Sequence, residues 1–331
     1  MELRQVSSLL IQVGTAALAA IALMSIAHGA SMDYPTRPVT IVVPFAAGSP
    51  TDITARALAN DLGPILKTSI LVENKSGAGQ IVAASYVYRA APDGYTLLLA
   101  NLPNAIAPSA GARLPYKDFT DFAPVAEVAS IGLMLATSSA MGAKDHPSLI
   151  SQLRSGSGTL TYGSGGVGSV LHLTTERFNR EVNAKATHVP FKSGSQVLLE
   201  LAGNRLSYSF VAMNGMDLVQ QGKITAIGLS ASKRDPRHPE LPTLSELGIP
   251  GFNASAALVL VAPKNTPVAI LRRLNDAVAR VIAQSGFKSR VQAIGGVTLS
   301  APASLDEVSA SIEKQERDWK QLIQSQQIQL E

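Results

Sequence analysis

Between residues 39 and 100 the chain alternates short β-branched apolar runs with stretches of helical spacing, and this restricts it to an α/β fold with parallel strands. Val39-Thr40-Ile41-Val42-Val43-Pro44-Phe45 reads as a buried strand. Ile53, Ala57, Leu58 and Leu62 follow at helical spacing, Ile70-Leu71-Val72 reads as a second strand, Gln80–Ala90 as a helix, and Thr96–Ala100 as a third strand. A βαβαβ order of this kind crosses over with one hand and lays its helices on the sheet.

The order repeats further on. Residues 101–124 are irregular, and Val125–Ala136 is apolar with a break near Ser130-Ile131-Gly132. Strands are predicted at Leu160–Tyr162, Thr187–Val189, Ser207–Val211, Thr225–Leu229 and Leu258–Ala262. Helices are predicted at Ser169–Arg180, Gln196–Ala202, Pro267–Ala283, Phe287–Ala293 and Leu305–Ile323. The 331 residues hold two domains of ordinary size, so two α/β lobes are expected, each a mostly parallel sheet flanked by helices.

Several functions are set aside by composition. Without cysteine there is no disulfide, no thiolate nucleophile and no Cys-ligated metal. The net charge of +4 comes from dispersed residues such as Lys185, Lys192, Lys223 and Lys233, with no basic stripe interleaved with aromatics, so nucleic acid is not an expected partner. At the N-terminus, Arg4 precedes the apolar run Val13–Met24 and the small-residue stretch Ala27-His28-Gly29-Ala30. That is the layout of a cleavable secretory signal peptide over residues 1–30, too short in its apolar part to span a bilayer.

In open α/β sheets ligands bind outside the carboxyl ends of the strands, which directs attention to three loops. In Pro44-Phe45-Ala46-Ala47-Gly48-Ser49-Pro50-Thr51-Asp52, Ser49 has the place of an N-cap and Pro50 that of the first helical residue. Asp52 then stands where a capping box has its acid, with recognition of a ligand amino or hydroxyl group as its alternative role. The second loop, Tyr162-Gly163-Ser164-Gly165-Gly166-Val167-Gly168-Ser169, matches G-x-G-x-x-G. Dinucleotide binding also needs an acid at the end of the next strand, but His188-Val189-Pro190-Phe191-Lys192 has none. A tight turn, or N–H and hydroxyl donors for a small anion, are the readings left. The third loop holds Ser193 and Gln196 at capping spacing, with Lys192 as either a surface lysine or a charge near an anion. No nucleophile elbow, Walker loop or H-E-x-x-H is present, the histidines have no metal-ligand spacing, and His172 reads as a hydrogen-bonded structural residue. An enzyme is therefore not expected, and neither is a cofactor or metal.

These loops, in this order, resemble the Bug family of periplasmic binding proteins, the receptors of tripartite tricarboxylate transporters. The matching stretches include Tyr34-Pro35-Thr36-Arg37-Pro38, Pro44-Phe45 with Gly48 and Asp52, and Val72-Glu73-Asn74-Lys75-Ser76-Gly77-Ala78-Gly79. Ala91-Pro92-Asp93-Gly94-Tyr95-Thr96-Leu97, Leu114-Pro115-Tyr116 with Asp118-Phe119, Tyr162-Gly163-Ser164 with Gly168-Ser169, and Leu241-Pro242-Thr243-Leu244-Ser245-Glu246-Leu247-Gly248 also fit.

The resemblance implies a two-lobed periplasmic binding protein with residues 34–133 and 257–331 in lobe one and 134–256 in lobe two. It implies capture of a small carboxylate by lobe closure and its delivery to the membrane permease subunits, with a monomeric receptor. A periplasmic partner of a membrane sensor kinase is the alternative within the same fold. The ligand-binding role carries over to Phe45, Ala47, Gly48, Asp52, Ser164, Gly168 and Ser169, and Gly48→Val is expected to stop binding by blocking backbone approach. The sequence departs from the family pattern at Ser49, Asn104, Ala107 and Val211, where glycine, histidine, asparagine and aspartate are common.

Overall fold

A computed structural model of the chain describes residues 33–102, 115–117, 119–155 and 160–325. The signal-peptide reading of residues 1–30 and the positions Leu114, Asp118, Asn104 and Ala107 lie outside the described residues. The chain divides into Met1–Thr36, of which 33–36 are described, and Arg37–Glu331. All the described secondary structure belongs to the second unit.

Its first part follows the sequence pattern: β1 (Val39–Val43), α1 (Pro50–Leu66), β2 (Ile70–Asn74), α2 (Ile81–Tyr88) and β3 (Thr96–Asn101). Both β2 and β3 pair with β1 in parallel. Helix α1 turns Ala55, Leu58, Ala59, Leu62 and Leu66 to the core, whereas Ile53, counted in the sequence stripe, is 41% exposed. The stripe is displaced because Ser49 and Pro50 set where the helix starts, and that start fixes which positions face inward.

Next comes β4 (Phe122–Ser138), one strand of 17 residues without the interruption suggested at Ser130–Gly132. It changes partners there instead. Residues as far as Gly132 pair with β9, and those from Leu133 onward pair with β7 and β8. Helix α3 (His146–Arg154) follows, closed by a capping box between Asp145 and Ser148. Then come β5 (Thr161–Ser164), α4 (Val170–Val182), β6 (Thr187–Pro190), α5 (Gly194–Ala202), β7 (Tyr208–Ala212), α6 (Met216–Gln220) and β8 (Ile224–Leu229). The chain continues through β9 (Ser255–Pro263), α7 (Val268–Ile282), α8 (Ser285–Gln292), β10 (Val297–Leu299) and α9 (Leu305–Ser325).

The strand order is β2-β1-β3-β9-β4-β7-β5-β6, with β8 and β10 also on β4. Each half keeps the expected parallel trio, β2-β1-β3 and β7-β5-β6. The centre is antiparallel, through β3–β9, β9–β4 and β4–β7. Around this sheet, β9 is buried from Ala256 to Pro263, and the aromatic rings of Tyr116, Phe119 and Phe122 pack near one end of β4 while Phe178, Phe210 and Phe252 pack near the other.

Candidate functional site

Three helices start in the same way. In α1, α4 and α5 the residue before the helix is a serine in extended conformation, Ser49, Ser169 and Ser193. Each hydroxyl accepts the N–H of the third helical residue, from Asp52 at 3.3 Å, His172 at 3.3 Å and Gln196 at 3.2 Å. The side chain of that third residue reaches back past the serine and accepts the N–H of the residue in front of it. Gly48 N–H bonds Asp52 Oδ2 at 2.9 Å, Gly168 N–H bonds His172 Nδ1 at 3.2 Å, and Lys192 N–H meets Gln196 Oε1 at 3.4 Å. This is a capping box lengthened by one residue. It fixes the entering chain and leaves the first two residues of each helix at the open end.

Those open ends meet. Ser49-Pro50-Thr51, Ser169-Val170-Leu171 and Ser193-Gly194-Ser195 all line one cavity of about 80 Å³. Phe45, Asn101, Ile131, Leu133, Gly165, Leu198, Ala212, Asn214 and Ala256 complete its wall. A single water needs roughly 10–15 Å³ measured this way, so the space takes a small molecule. Among the described residues, none that lines it carries a charge. N–H groups in the first turn of a helix have no partner within it, and the macrodipole adds partial positive charge there. Three such termini on an otherwise neutral wall make an anion site out of backbone.

The residues expected from the sequence divide into two sets. Phe45 and Ser169 line the cavity, and the first loop and the glycine loop share it. Ala47, Gly48, Asp52, Ser164 and Gly168 are not among the lining residues. Asp52 mounts the first loop. Besides Gly48 it accepts Arg56 Nε at 3.0 Å and Asn74 Nδ2 at 2.8 Å, and Asn74 also donates to Phe45 O at 2.9 Å. Burial opposes ionisation of Asp52, but the hydrogen bonds from Arg56, Asn74 and Gly48 outweigh it and hold the carboxyl below its ordinary range. The N–H groups of Gly48 and Gly168 are donated to Asp52 and His172.

Ser164 is fully buried beneath the glycine loop, where its hydroxyl accepts Gly166 N–H at 3.1 Å and lies 2.6 Å from His188 Nε2. His188 stacks on His172 at 4.1 Å and on Tyr162 at 5.0 Å, and Tyr162 hydrogen-bonds Glu176. Burial pushes His172 down to about 4. Burial, then neighbouring His172, takes His188 to about 4 against the pull of Glu176. Both rings are therefore neutral at pH 7, which suits Nδ1 of His172 as the acceptor for Gly168.

A Cβ at Gly48 would meet no protein atom within 4 Å, and the φ of +80° is a further obstacle to valine. We expect Gly48→Val to lower stability by about 2 kcal/mol through left-handed strain, with Gly48→Asn recovering most of it in urea unfolding. Sequence reasoning assigned no ligand role to Thr51, Asn101, Gly194, Ser195 or Asn214. The spacing at Ser193 and Gln196 was the available signal for the third terminus. Lys192 is exposed and does not line the cavity. Val211 is buried off the cavity while Ala212 lines it, as neighbours on a strand point to opposite faces.

Two parallel βα units joined by a shared long strand, with helix N-termini gathered on a cavity beside it, define a solute-binding protein of the periplasmic binding protein type. The chain belongs to the tripartite tricarboxylate transporter family receptors, whose family model matches residues 54–328. It is 33% identical to the protein BugT of Bordetella pertussis over 259 residues, covering 77% of this chain and 79% of that one. MatC of Rhodopseudomonas palustris, solved with bound malate, superposes with a TM-score of 0.81 at 32% identity, covering 88% of this chain and 100% of that one. Another protein of that organism, solved with adipate, gives a TM-score of 0.83 at 29% identity, with 89% and 99% covered.

Proposed function

We propose that the chain is a periplasmic receptor that captures a small carboxylate between two lobes and delivers it to the permease subunits of a tripartite tricarboxylate-type transporter. The observation that carries this reading is the convergence of three capped helix N-termini on one cavity with no charged side chain among the described residues of its wall. Two solved relatives hold the dicarboxylates malate and adipate.

The magnitudes are adequate. A helix N-terminus in a partly buried setting contributes up to about 2 kcal/mol to an anion, so three supply at most roughly 6 kcal/mol, with the α1 end giving less because Pro50 brings no N–H. Micromolar affinity requires about 8 kcal/mol. The apolar wall of Phe45, Ile131, Leu133 and Leu198 supplies the difference by removing ligand carbon from water.

Lobe one is taken as residues 34–133 with 257–331, and lobe two as 134–256. A Cβ at Gly79 would lie 3.2 Å from Val167 O, so the segment after β2 touches the glycine loop, which is the arrangement expected of a closed cleft. On β4, Ile131 and Leu133 line the ligand cavity while Ser130 lines a separate groove with Arg177, Ser255 and Trp319. Closure about the crossing strands would change that groove. Trp319 is the sole tryptophan, so its fluorescence is expected to shift on titration with the cognate acid. Native mass spectrometry of protein purified from its own periplasm should show a bound small acid. Failure of short carboxylates, malate and adipate included, to bind by calorimetry at millimolar concentration would overturn the proposal. For location, no helix among the described residues is long and apolar enough to cross a membrane.

A further inference from the structure

The helix termini provide for the charged end of a ligand, and the lining amide of Asn101 is left without a task. Asn101 closes β3 at its carboxyl end, lines the cavity, and is 4% exposed. Its main chain is fully engaged by one buried side chain. Asn101 N–H donates to Gln80 Oε1 at 2.9 Å, and Gln80 Nε2 donates to Asn101 O at 2.9 Å. Gln80 is itself 2% exposed. The side-chain Oδ1 of Asn101 is buried and has no hydrogen-bond partner among the described residues. Buried polar groups are nearly always paired, and one that is not weakens the fold by a factor of about ten or more. A strand end clamped at both main-chain polar groups by a buried glutamine holds its side-chain amide in place at a cost that a bound partner would remove.

Resting on the carboxylate reading above, we propose that Asn101 is a specificity-determining residue that hydrogen-bonds a hydroxyl on the ligand's carbon chain, so that the cavity selects short hydroxycarboxylates over unsubstituted acids of the same length. A hydroxyl both donates and accepts, so it satisfies the amide whichever way its oxygen and nitrogen are turned. An ammonium group would satisfy Oδ1 too, but it would be buried against a wall that has no carboxylate among the described residues. The uncharged donor is therefore the better match, and amino acids rank below hydroxy acids. Discrimination follows from what is left behind: an acid without the hydroxyl keeps its contacts with the helix termini but leaves the Asn101 amide unpaired.

The test is calorimetry on the full chain with matched pairs, lactate against propionate and malate against succinate, and with aspartate beside malate. The hydroxy acid is expected to bind at least about tenfold more tightly than its bare partner. In Asn101→Leu that ratio is expected to fall to within about twofold, and the ratio within each pair is the readout. The variant should melt no lower than the parent, since both Gln80 bonds go to the main chain. Equal affinity within each pair in the parent protein would overturn this inference and leave the carboxylate reading standing, and that comparison needs no variant. Aspartate binding more tightly than malate would overturn the choice of hydroxyl. Binding of none of these acids would remove the carboxylate reading and this inference together.

Discussion

Ser195→Asp is expected to abolish carboxylate binding, by at least about a hundredfold, in a protein as stable as its parent. Ser195 is the second residue of α5 and lines the cavity beside Ser193 and Gly194. A carboxylate in the first turn of a helix is favourable to the helix by about 0.3–1 kcal/mol. The fold is therefore not weakened, and the new group takes the N–H donors that would otherwise hold the ligand. It does so at the effective concentration of a tethered ligand, which is millimolar or higher. It also places a second negative charge near the first. At about 4 Å that repulsion is roughly 4 kcal/mol at an effective dielectric constant near 20. Among the described residues, no lysine, arginine or histidine lines the cavity to offset it. Competition and repulsion together exceed the roughly 2.7 kcal/mol that corresponds to a hundredfold. Ser195→Asn, of the same size without the charge, should cost far less. Titration calorimetry of the three proteins against one bound acid, with thermal melts alongside, checks the effect. An Asp variant that binds within about threefold of the parent would show that α5 does not face the anion.

Most of the architecture was legible because the signals were local. The β-branched run at Val39–Val43, the Ser49-Pro50 start of α1 and the Ser169 start of α4 each specify an element from a few residues. Local signals do not encode what pairs with what. Nothing in Ser255–Pro263 says that β9 lies antiparallel between β3 and β4, or that the apparent break at Ser130–Gly132 is a change of partners. Helix α3 went unread although Asp145-His146-Pro147-Ser148 has the form of a helix start, because only Leu149 and Leu153 are buried and the apolar stripe is short. The candidate site was half legible for the same reason. Glycines and serines after strands marked the right loops. Their roles were transposed, because an N–H aimed at a ligand and an N–H aimed at the third helical side chain look alike in sequence. Gly48 and Gly168 turned out to be of the second kind. Asn101 and Ala212 come to the cavity only through the register of β3 and β7, which the chain does not announce locally.

Acid is expected to loosen the glycine loop before it reaches the carboxylates. His172 accepts Gly168 N–H through Nδ1, which requires a neutral ring. Around it lie His188 and Tyr162, with Glu176 bonded to Tyr162 and Ser164 beside His188. Burial lowers His172 from 6.5 to about 4. Between those values the unfolded chain takes up a proton that the native ring refuses, so this contribution to stability is complete above about pH 6.5 and is lost as pH falls toward 4. The full difference is about 3 kcal/mol, and about 2 kcal/mol of it is lost by pH 5. His188 acts in the same direction, and so does His146, which burial also lowers. Asp52, held below its ordinary range, begins to matter only near pH 4 and lower. The informative variant is His172→Gln, because the glutamine of α5 already performs this task, with Gln196 accepting Lys192 N–H. It should fold and bind at pH 7. Between pH 7.5 and pH 5 its unfolding free energy in urea should fall by about 2 kcal/mol less than that of the parent. Parallel pH curves for the two proteins would mean that His172 takes up its proton as readily in the native state as in the unfolded chain, and the hydrogen bond that fastens Gly168 would have to be sought elsewhere.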